Sequence, residues 1–299
     1  MARPNDAAPV ILAYAQLAGA MALVGANVGV AKLLAEALPI PLIACLRCAL
    51  ACLVLWPLAR VLDGRVRPER ATLGNLALQA LFGTALYNAG LLAGLRLTSA
   101  LEGGMVLASL PAVVALGSAV WLRERLPLRH WLAAALAAGG MAAITLARGG
   151  AAGEGSALGN ALVFAAVCGE AIYVLLAKRL AGRLPVVTAS LWMQTFSAAM
   201  LLPFALPGIG AMAALAAPDL TGLLVFHSLT ASVLCLLLWY AGLRRVPAGV
   251  AGLFTGFLPA TAAVVAVAVL GESFSVVHGM GFALMGGSLL LATWPRRRA

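Results

Sequence analysis

This sequence has very little charge. Of 299 residues, 10% are Asp, Glu, Lys or Arg, against ~25% in an ordinary soluble domain. With 63% of the chain hydrophobic, a soluble fold of this length could not cover its outside with polar groups. Acidic residues are scarcest, ten against twenty basic ones, so paired carboxylates for acid–base work are hard to assemble. Five cysteines, few and odd in number, exclude a disulfide-built secreted domain, and the apolar content excludes disorder. Three scattered histidines supply no set of paired acid/base groups or metal ligands on facing helices. No nucleophile triad, phosphate loop or dinucleotide fingerprint is present, so no ATP site, cofactor or enzymatic activity is expected. Alternation with period two is absent, which argues against an outer-membrane barrel.

What remains is long apolar runs rich in alanine, leucine and glycine, with a mean hydropathy of +1.03. A membrane-spanning helix needs ~20 such residues. Ten spans can be read, at 10–34, 40–62, 72–94, 99–121, 130–148, 157–177, 186–207, 219–241, 248–270 and 274–294. The expected fold is all-α and integral to the membrane. The first run is too long for a cleavable signal. Short polar breaks separate the spans, including Asp63-Gly64-Arg65-Val66-Arg67-Pro68 and the mid-chain linker Gly149–Ser156. One longer loop is bracketed by Pro207-Gly208 and Pro218-Asp219.

The net charge of +10 would point to nucleic acid in a soluble protein. Here its distribution decides. With the N-terminus inside and ten alternating spans, the inner segments hold Arg3, Arg60, Arg65, Arg67, Arg70, Arg123, Arg125, Arg129, Lys178, Arg179, Arg183, Arg244, Arg245 and Arg296–Arg298. The outer ones hold Lys32, Arg96 and Arg148, and Arg47 falls within a span. This is the positive-inside asymmetry. It predicts cytoplasmic termini, a lipid bilayer as partner and no nucleic acid.

The halves match each other. A shift of 148 places Gly94-Leu95-Arg96 on Gly242-Leu243-Arg244, Leu110-Pro111-Ala112 on Leu258-Pro259-Ala260, Glu124 on Glu272, His130 on His278 and Gly139 on Gly287. A shift of 146 places Ala31-Lys32 on Ala177-Lys178, Leu38-Pro39 on Leu184-Pro185 and Pro57 on Pro203. Two repeats, 1–150 and 151–299, follow. Five spans each reverse the orientation, so the repeats are inverted, a plan recurrent among secondary transporters with midplane sites.

Pro111…Glu124…Gly139 and Pro259…Glu272…Gly287 resemble the drug/metabolite transporter superfamily, in its ten-helix EamA branch, over essentially the whole chain. Glu102-Gly103-Gly104-Met105-Val106 resembles the corresponding stretch of YddG-type amino-acid exporters. The resemblance implies export of small metabolites across the inner membrane.

Polar residues inside spans are expensive and usually face a cavity or a partner. Glu102, Met105 and Ser109 share one face of the fourth span. Glu170 has Tyr173 one turn away, and His227 has Thr230. A carboxylate or imidazole there can bind an ammonium group or carry a proton; alternatively it is part of a buried pair, with Arg47 neutralising a glutamate. Asn75, Gln79, Gly83 and Tyr87, with Asn88 beside them, form a polar stripe along the third span. Asn27, Trp192, Gln194 and Tyr240 add further handles, although Trp192 and Tyr240 also fit an interface belt. Pro111 and Pro259 read as kinks in the fourth and ninth spans, either lining a cavity or simply packed. Small residues every fourth position (Ala135, Gly139, Ala143; Gly279, Ala283, Gly287) predict close helix packing or dimerisation. Glu124 and Glu272, at span ends, can cap neighbouring helices. Cys45, Cys48 and Cys52 share a face but lack the ligand set of a metal site.

The expected function is export of small metabolites, neutral or aromatic amino acids foremost, by a multi-pass protein of a bacterial-type inner membrane acting as monomer or homodimer. The rivals are proton-coupled drug or other metabolite efflux and, remotely, a membrane-embedded enzyme.

Overall fold

Lipid offers the backbone no hydrogen-bond partner, so a chain this apolar must satisfy its own N–H and C=O groups, and helices do so. The computed structural model describes residues 7–98, 103, 106–147, 156–258, 260–261, 264–265 and 276–293. Among them every named element is helical: α1 (Ala7–Ala35), α2 (Ile40–Leu62), α3 (Arg70–Ala80), α4 (Tyr87–Leu97), α5 (Leu110–Trp121), α6 (Leu128–Ala147), α7 (Ala157–Leu180), α8 (Val186–Ala205), α9 (Pro218–His227), α10 (Cys235–Leu243), α11 (Ala248–Leu253) and α12 (Val276–Thr293), with short 3-10 and π segments between some of them.

Six stretches among the described residues are long and apolar enough to cross a membrane: Val10–Ala35, Ile40–Leu62, Arg70–Leu97, Ala157–Leu180, Val186–Ala216 and Pro218–Leu243. The expected spans at 99–121, 248–270 and 274–294 include residues outside the described set. Large apolar side chains such as Val61 and Val276, each 80% exposed, stand outward. Such surfaces are a liability in water and ordinary against lipid.

Among the described residues, two spans carry a π-helical turn. A π-helical turn, Leu81–Leu86, joins α3 to α4, and another, Ser228–Leu234, joins α9 to α10. The two turns fall at matching places in the repeats: Thr84 and Thr230, one in each, are related by the shift of 146. The stretch expected as a long loop winds instead as a 3-10 helix, Leu206–Ala216. Pro207 has no N–H to leave unpaired at its start, and Gly208 lets it close on Pro39, whose Cγ a Cβ would meet at 2.9 Å.

Prolines sort by position. Pro39, Pro185 and Pro247 stand at the N-caps of α2, α8 and α11. Pro111 lies in the first turn of α5, after a break at Ala108–Ser109, where a proline displaces no hydrogen bond. It therefore starts a helix rather than kinking one. Pro57 lies inside α2 and Pro203 inside α8, a pair the repeat also relates.

The chain forms two compact units, residues 1–85 with 176–245, and 86–175 with 246–299. Each takes segments from both halves of the sequence. In the first unit α2 packs along α8, and α10 along α1. In the second, α6 packs along α12 and α5 along α11. Lipid tails are as apolar as leucine, so close packing rather than hydrophobic exclusion holds such helices together. Gly94 in α4 faces Gly159 and Val163 of α7; a Cβ there would sit 2.8 Å from the Gly159 oxygen and 2.6 Å from Val163 Cγ2. Gly242 in α10 faces Ala13 and Leu17 of α1, with corresponding approaches of 2.9 and 2.8 Å. The shift of 148 relates the two glycines, and the shift of 146 relates Ala13 to Gly159 and Leu17 to Val163. The third span of each repeat thus packs on the first span of the other.

Spans five and ten pack on each other through residues other than Ala135 and Gly139. Ala133, Ala134 and Ala137 of α6 are buried with Ala292, and Ser288 Oγ donates to the Ala133 carbonyl at 2.7 Å. Ala135 and Gly139 are exposed, and a Cβ on Gly139 would meet nothing within 4 Å.

Candidate functional site

The first unit buries a set of polar groups among membrane-length helices. Asn27 of α1, His227 at the end of α9 and Thr230 in the π-turn interlock. Asn27 Nδ2 donates to the Leu23 carbonyl and to Thr230 Oγ1, both at 2.9 Å. Thr230 Oγ1 in turn donates to the Phe226 carbonyl at 2.7 Å. Asn27 Oδ1 is then the acceptor for His227 Nδ1 at 2.8 Å. This bond puts the proton of a neutral imidazole on Nδ1 and leaves Nε2 as the basic atom. Asn27 is 3% and His227 7% exposed. The neighbouring Ser228 Oγ donates to the Arg47 carbonyl at 2.8 Å, and the Arg47 guanidinium acts electrostatically on His227.

A second chain of bonds lies in the same unit. Tyr240 donates its hydroxyl to Gln79 Oε1 at 2.6 Å, and Gln79 Nε2 donates to Asn75 Oδ1 at 2.6 Å. Gln194 Nε2 donates to the Ser232 carbonyl at 2.8 Å. Thr84, in the first π-turn, is bonded to Ser197 at 3.1 Å. A π-turn leaves its carbonyls less regularly paired than an α-turn and is frequent at functional sites. Here each π-turn contains a threonine bonded to a distant helix.

The other expected site residues are dispersed. The polar stripe of the third span divides at its π-turn. Asn75 and Gln79 belong to the first unit, while Tyr87 and Asn88, which stands exposed, belong to the second. In that second unit Tyr87 lies within the electrostatic reach of Glu170. Ser109 Oγ turns back to the Val106 carbonyl at 2.7 Å, a local bond. Trp192 packs on Phe196, ring centroids 5.8 Å apart. Glu102, Met105 and Pro259 lie outside the described residues, as does Glu272. Tyr240, expected at an interface belt, is buried at 4% exposure and belongs to the polar chain. Cys45 and Cys48 are buried where α2 meets α8, and Cys52 touches Thr195 Oγ1 at 3.5 Å.

Glu124 has the expected capping role. Its carboxylate accepts from Ala248 N at 3.0 Å and Gly249 N at 3.3 Å, at the start of α11, and from Ser118. Asp63 does the same for α8, its Oδ2 accepting from Thr188 N and Oγ1 at 2.7 Å each. A carboxylate at a helix N-terminus satisfies unpaired N–H groups and complements the helix dipole.

The sequence model of the EamA-like transporter family matches this chain twice, at residues 11–146 and 157–294. The chain belongs to the EamA-like transporter family. An uncharacterized transporter, YetK, of Bacillus subtilis (strain 168) is 33% identical over 290 residues, 96% of this chain and 88% of the other. A protein of known crystal structure superposes with a TM-score of 0.75 at 21% identity, over 96% of each chain; that likeness concerns the fold alone. As an EamA-like transporter the chain is a multi-pass membrane protein, and both family and relative point to transport rather than catalysis.

Proposed function

We propose that this transporter exports small metabolites, with neutral or aromatic amino acids as the leading substrate class, across a bacterial-type inner membrane. It would do so by alternating access of two inverted repeats, 1–150 and 151–299, in ten spans with cytoplasmic termini. The observation that carries this reading is the interlocked Asn27–His227–Thr230 cluster, held at a π-turn within apolar helices. Polar groups at that depth are costly unless they pair or serve transport. The cluster does both: Asn27 fixes the imidazole through Nδ1, and Nε2 is left to take up a proton or accept from a substrate ammonium. The two π-turns supply places where the third and eighth spans can flex. Glu102 and Met105, from the stretch similar to YddG-type exporters, belong to the same proposal as partners for the ammonium and the side chain, with Gln79, Tyr87, Asn88, Ser109 and Trp192 as further contacts.

Proton-coupled drug efflux is the second reading. It is favoured by Glu170, a carboxylate within a span and within electrostatic reach of Tyr87, where a deep acid would serve a cationic substrate.

The test is uptake of a labelled amino-acid panel into liposomes holding the purified protein, with and without a pH gradient. The expected result is flux of at least one neutral or aromatic amino acid, reduced in Asn27→Leu and His227→Ala. Absence of flux for every amino acid removes the substrate class. Flux indifferent to the gradient removes His227 as a proton carrier, and normal flux in Glu102→Gln removes Glu102 from the site.

A further inference from the structure

A basic cavity opens at the loop end of the first unit, away from the Asn27–His227 cluster in sequence and chemistry. It has a volume of about 440 Å³ and is walled by Leu62, Asp63, Arg183, Val186, Val187 and Arg244 among others. A second cavity of about 340 Å³, between Gln16, Gly182, Ala241, Arg244 and Arg245, shares Gly182 and Arg244 with it. The first falls within the range that small-ligand sites occupy, roughly 300–1,000 Å³.

The fold fixes the backbone that carries the arginines, whose side chains are exposed. Gly182, at φ +85°, turns the chain after α7, and Arg183 N closes that turn on the Leu180 carbonyl at 3.0 Å. Lys178 Nζ donates to the Leu243 carbonyl at 2.9 Å, tying the end of α7 to the end of α10 and so Arg183 to the side of Arg244. Asp63, the acid in the wall, has Oδ2 engaged by Thr188. Three arginines therefore face the paired cavities with a single carboxylate whose charge is directed at a helix terminus.

The rest of the wall is apolar and runs out to the lipid-facing side. Leu62 is 64% exposed, and Val61 beside it is more so. Lower on α2, Trp56 is exposed with the Arg60 guanidinium 4.8 Å above its ring. An exposed tryptophan under a cation marks the depth at which hydrocarbon gives way to headgroups. A cationic cavity at that depth, continuous with an apolar flank, matches a molecule with an anionic phosphate at one end and acyl chains at the other.

We infer that Arg183 and Arg244 form a site for the phosphate headgroup of an anionic phospholipid in the leaflet that meets this end of the first unit. The guanidinium forks bind the phosphate oxygens, and the acyl chains lie along Val61 and Leu62. A free phosphate would use the same cations but not the apolar flank.

The test is native mass spectrometry of the full-length, delipidated protein in detergent. It is incubated with equal amounts of phosphatidylglycerol and phosphatidylcholine, with or without excess inorganic phosphate. Preferential retention of phosphatidylglycerol is expected, undisturbed by phosphate. Arg183→Gln with Arg244→Gln should lower that retention by roughly tenfold, since each basic residue at an anionic surface contributes severalfold to binding. Arg65→Gln with Arg67→Gln removes the same charge from a turn outside both cavities and should leave retention unchanged. Arg183→Lys with Arg244→Lys keeps the charge, for the case in which the glutamine pair does not fold, and should retain the lipid more weakly than the arginines. Equal retention of the two lipids, equal loss in the Arg65/Arg67 pair, or displacement by inorganic phosphate would each overturn the inference.

Discussion

Gly94 and Gly242 hold matching places in the two compact units, yet the interiors around them differ in kind. Each glycine lets a third span close on a first span, at almost the same separations. Beyond that contact, one core of the second unit is alanine-rich, the Ala133–Ala134–Ala137 face against Ala292. Among its described residues, Glu124 and Thr98 make side-chain bonds at helix ends, and Ser288 makes one between α12 and α6. The first unit buries Asn27, Gln79, Gln194, His227 and Tyr240 in the body of its helices. A repeat can therefore keep its packing rules in both places while the polar groups buried around them differ. Close glycine contacts mark the shared scaffold. Buried amides and an imidazole, which bring no packing advantage over leucine, mark the part shaped by something else.

The largest effect should come from breaking what the units share. Gly94→Val drives a side chain into the α7 backbone, and Gly242→Val does the same against α1. Overpacking of this kind costs about 3 kcal/mol or somewhat less. Both variants should lose thermal stability in detergent to a similar extent. If only one is affected, the two contacts are not equivalent.

Next is the pair that separates the interiors. Asn27→Leu leaves His227 Nδ1 without its acceptor and Thr230 without its amide donor. A stranded buried polar group costs ~1–3 kcal/mol. Ser288→Ala in the second unit removes one donor from a carbonyl already placed in a helix, and interhelical bonds in membranes average only about 0.6 kcal/mol. The melting temperature should therefore fall clearly in Asn27→Leu and little in Ser288→Ala. Similar losses would mean that the first unit's network has no special standing. Tyr240→Phe should fall between them, at about 1 kcal/mol, because it strands Gln79 Oε1 while keeping the ring.

Much of this was legible beforehand, and the exceptions have physical causes. Apolar runs revealed the helices because lipid permits few other backbones. Gly94 and Gly242 aligned openly. Their partners Gly159 and Ala13 did not, since the shift changes from 148 to 146 and alanine–glycine matches are cheap in this composition. The π-turns left no trace, because no residue type marks an extra residue inserted in a helix. Pro111 reads as a kink in the sequence yet starts a helix: a proline in an apolar run looks the same at a helix start as in a helix interior, and only the break at Ala108–Ser109 distinguishes them. Asn27 and His227 each stood out as polar in an apolar span. That they meet is a tertiary fact across 200 residues, and no spacing encodes it.

The smallest effect bears on the small-residue stripe. Ala135, Gly139 and Ala143 follow the spacing of a helix-packing motif as well as Ala133 and Ala137 do, so pattern alone cannot choose between faces. The structure buries Ala133 and Ala137 and exposes Ala135 and Gly139. A methyl added at Gly139 meets nothing within 4 Å, and alanine is favoured over glycine in a helix by up to ~1 kcal/mol. Gly139→Ala should therefore leave the melting temperature unchanged or raise it slightly, opposite in sign to Gly94→Val. If Gly139→Ala instead destabilises the protein, or shifts its elution in detergent toward a smaller species, that exposed face is occupied by a second copy of the chain. The stripe would then be a dimer contact rather than a lipid-facing surface.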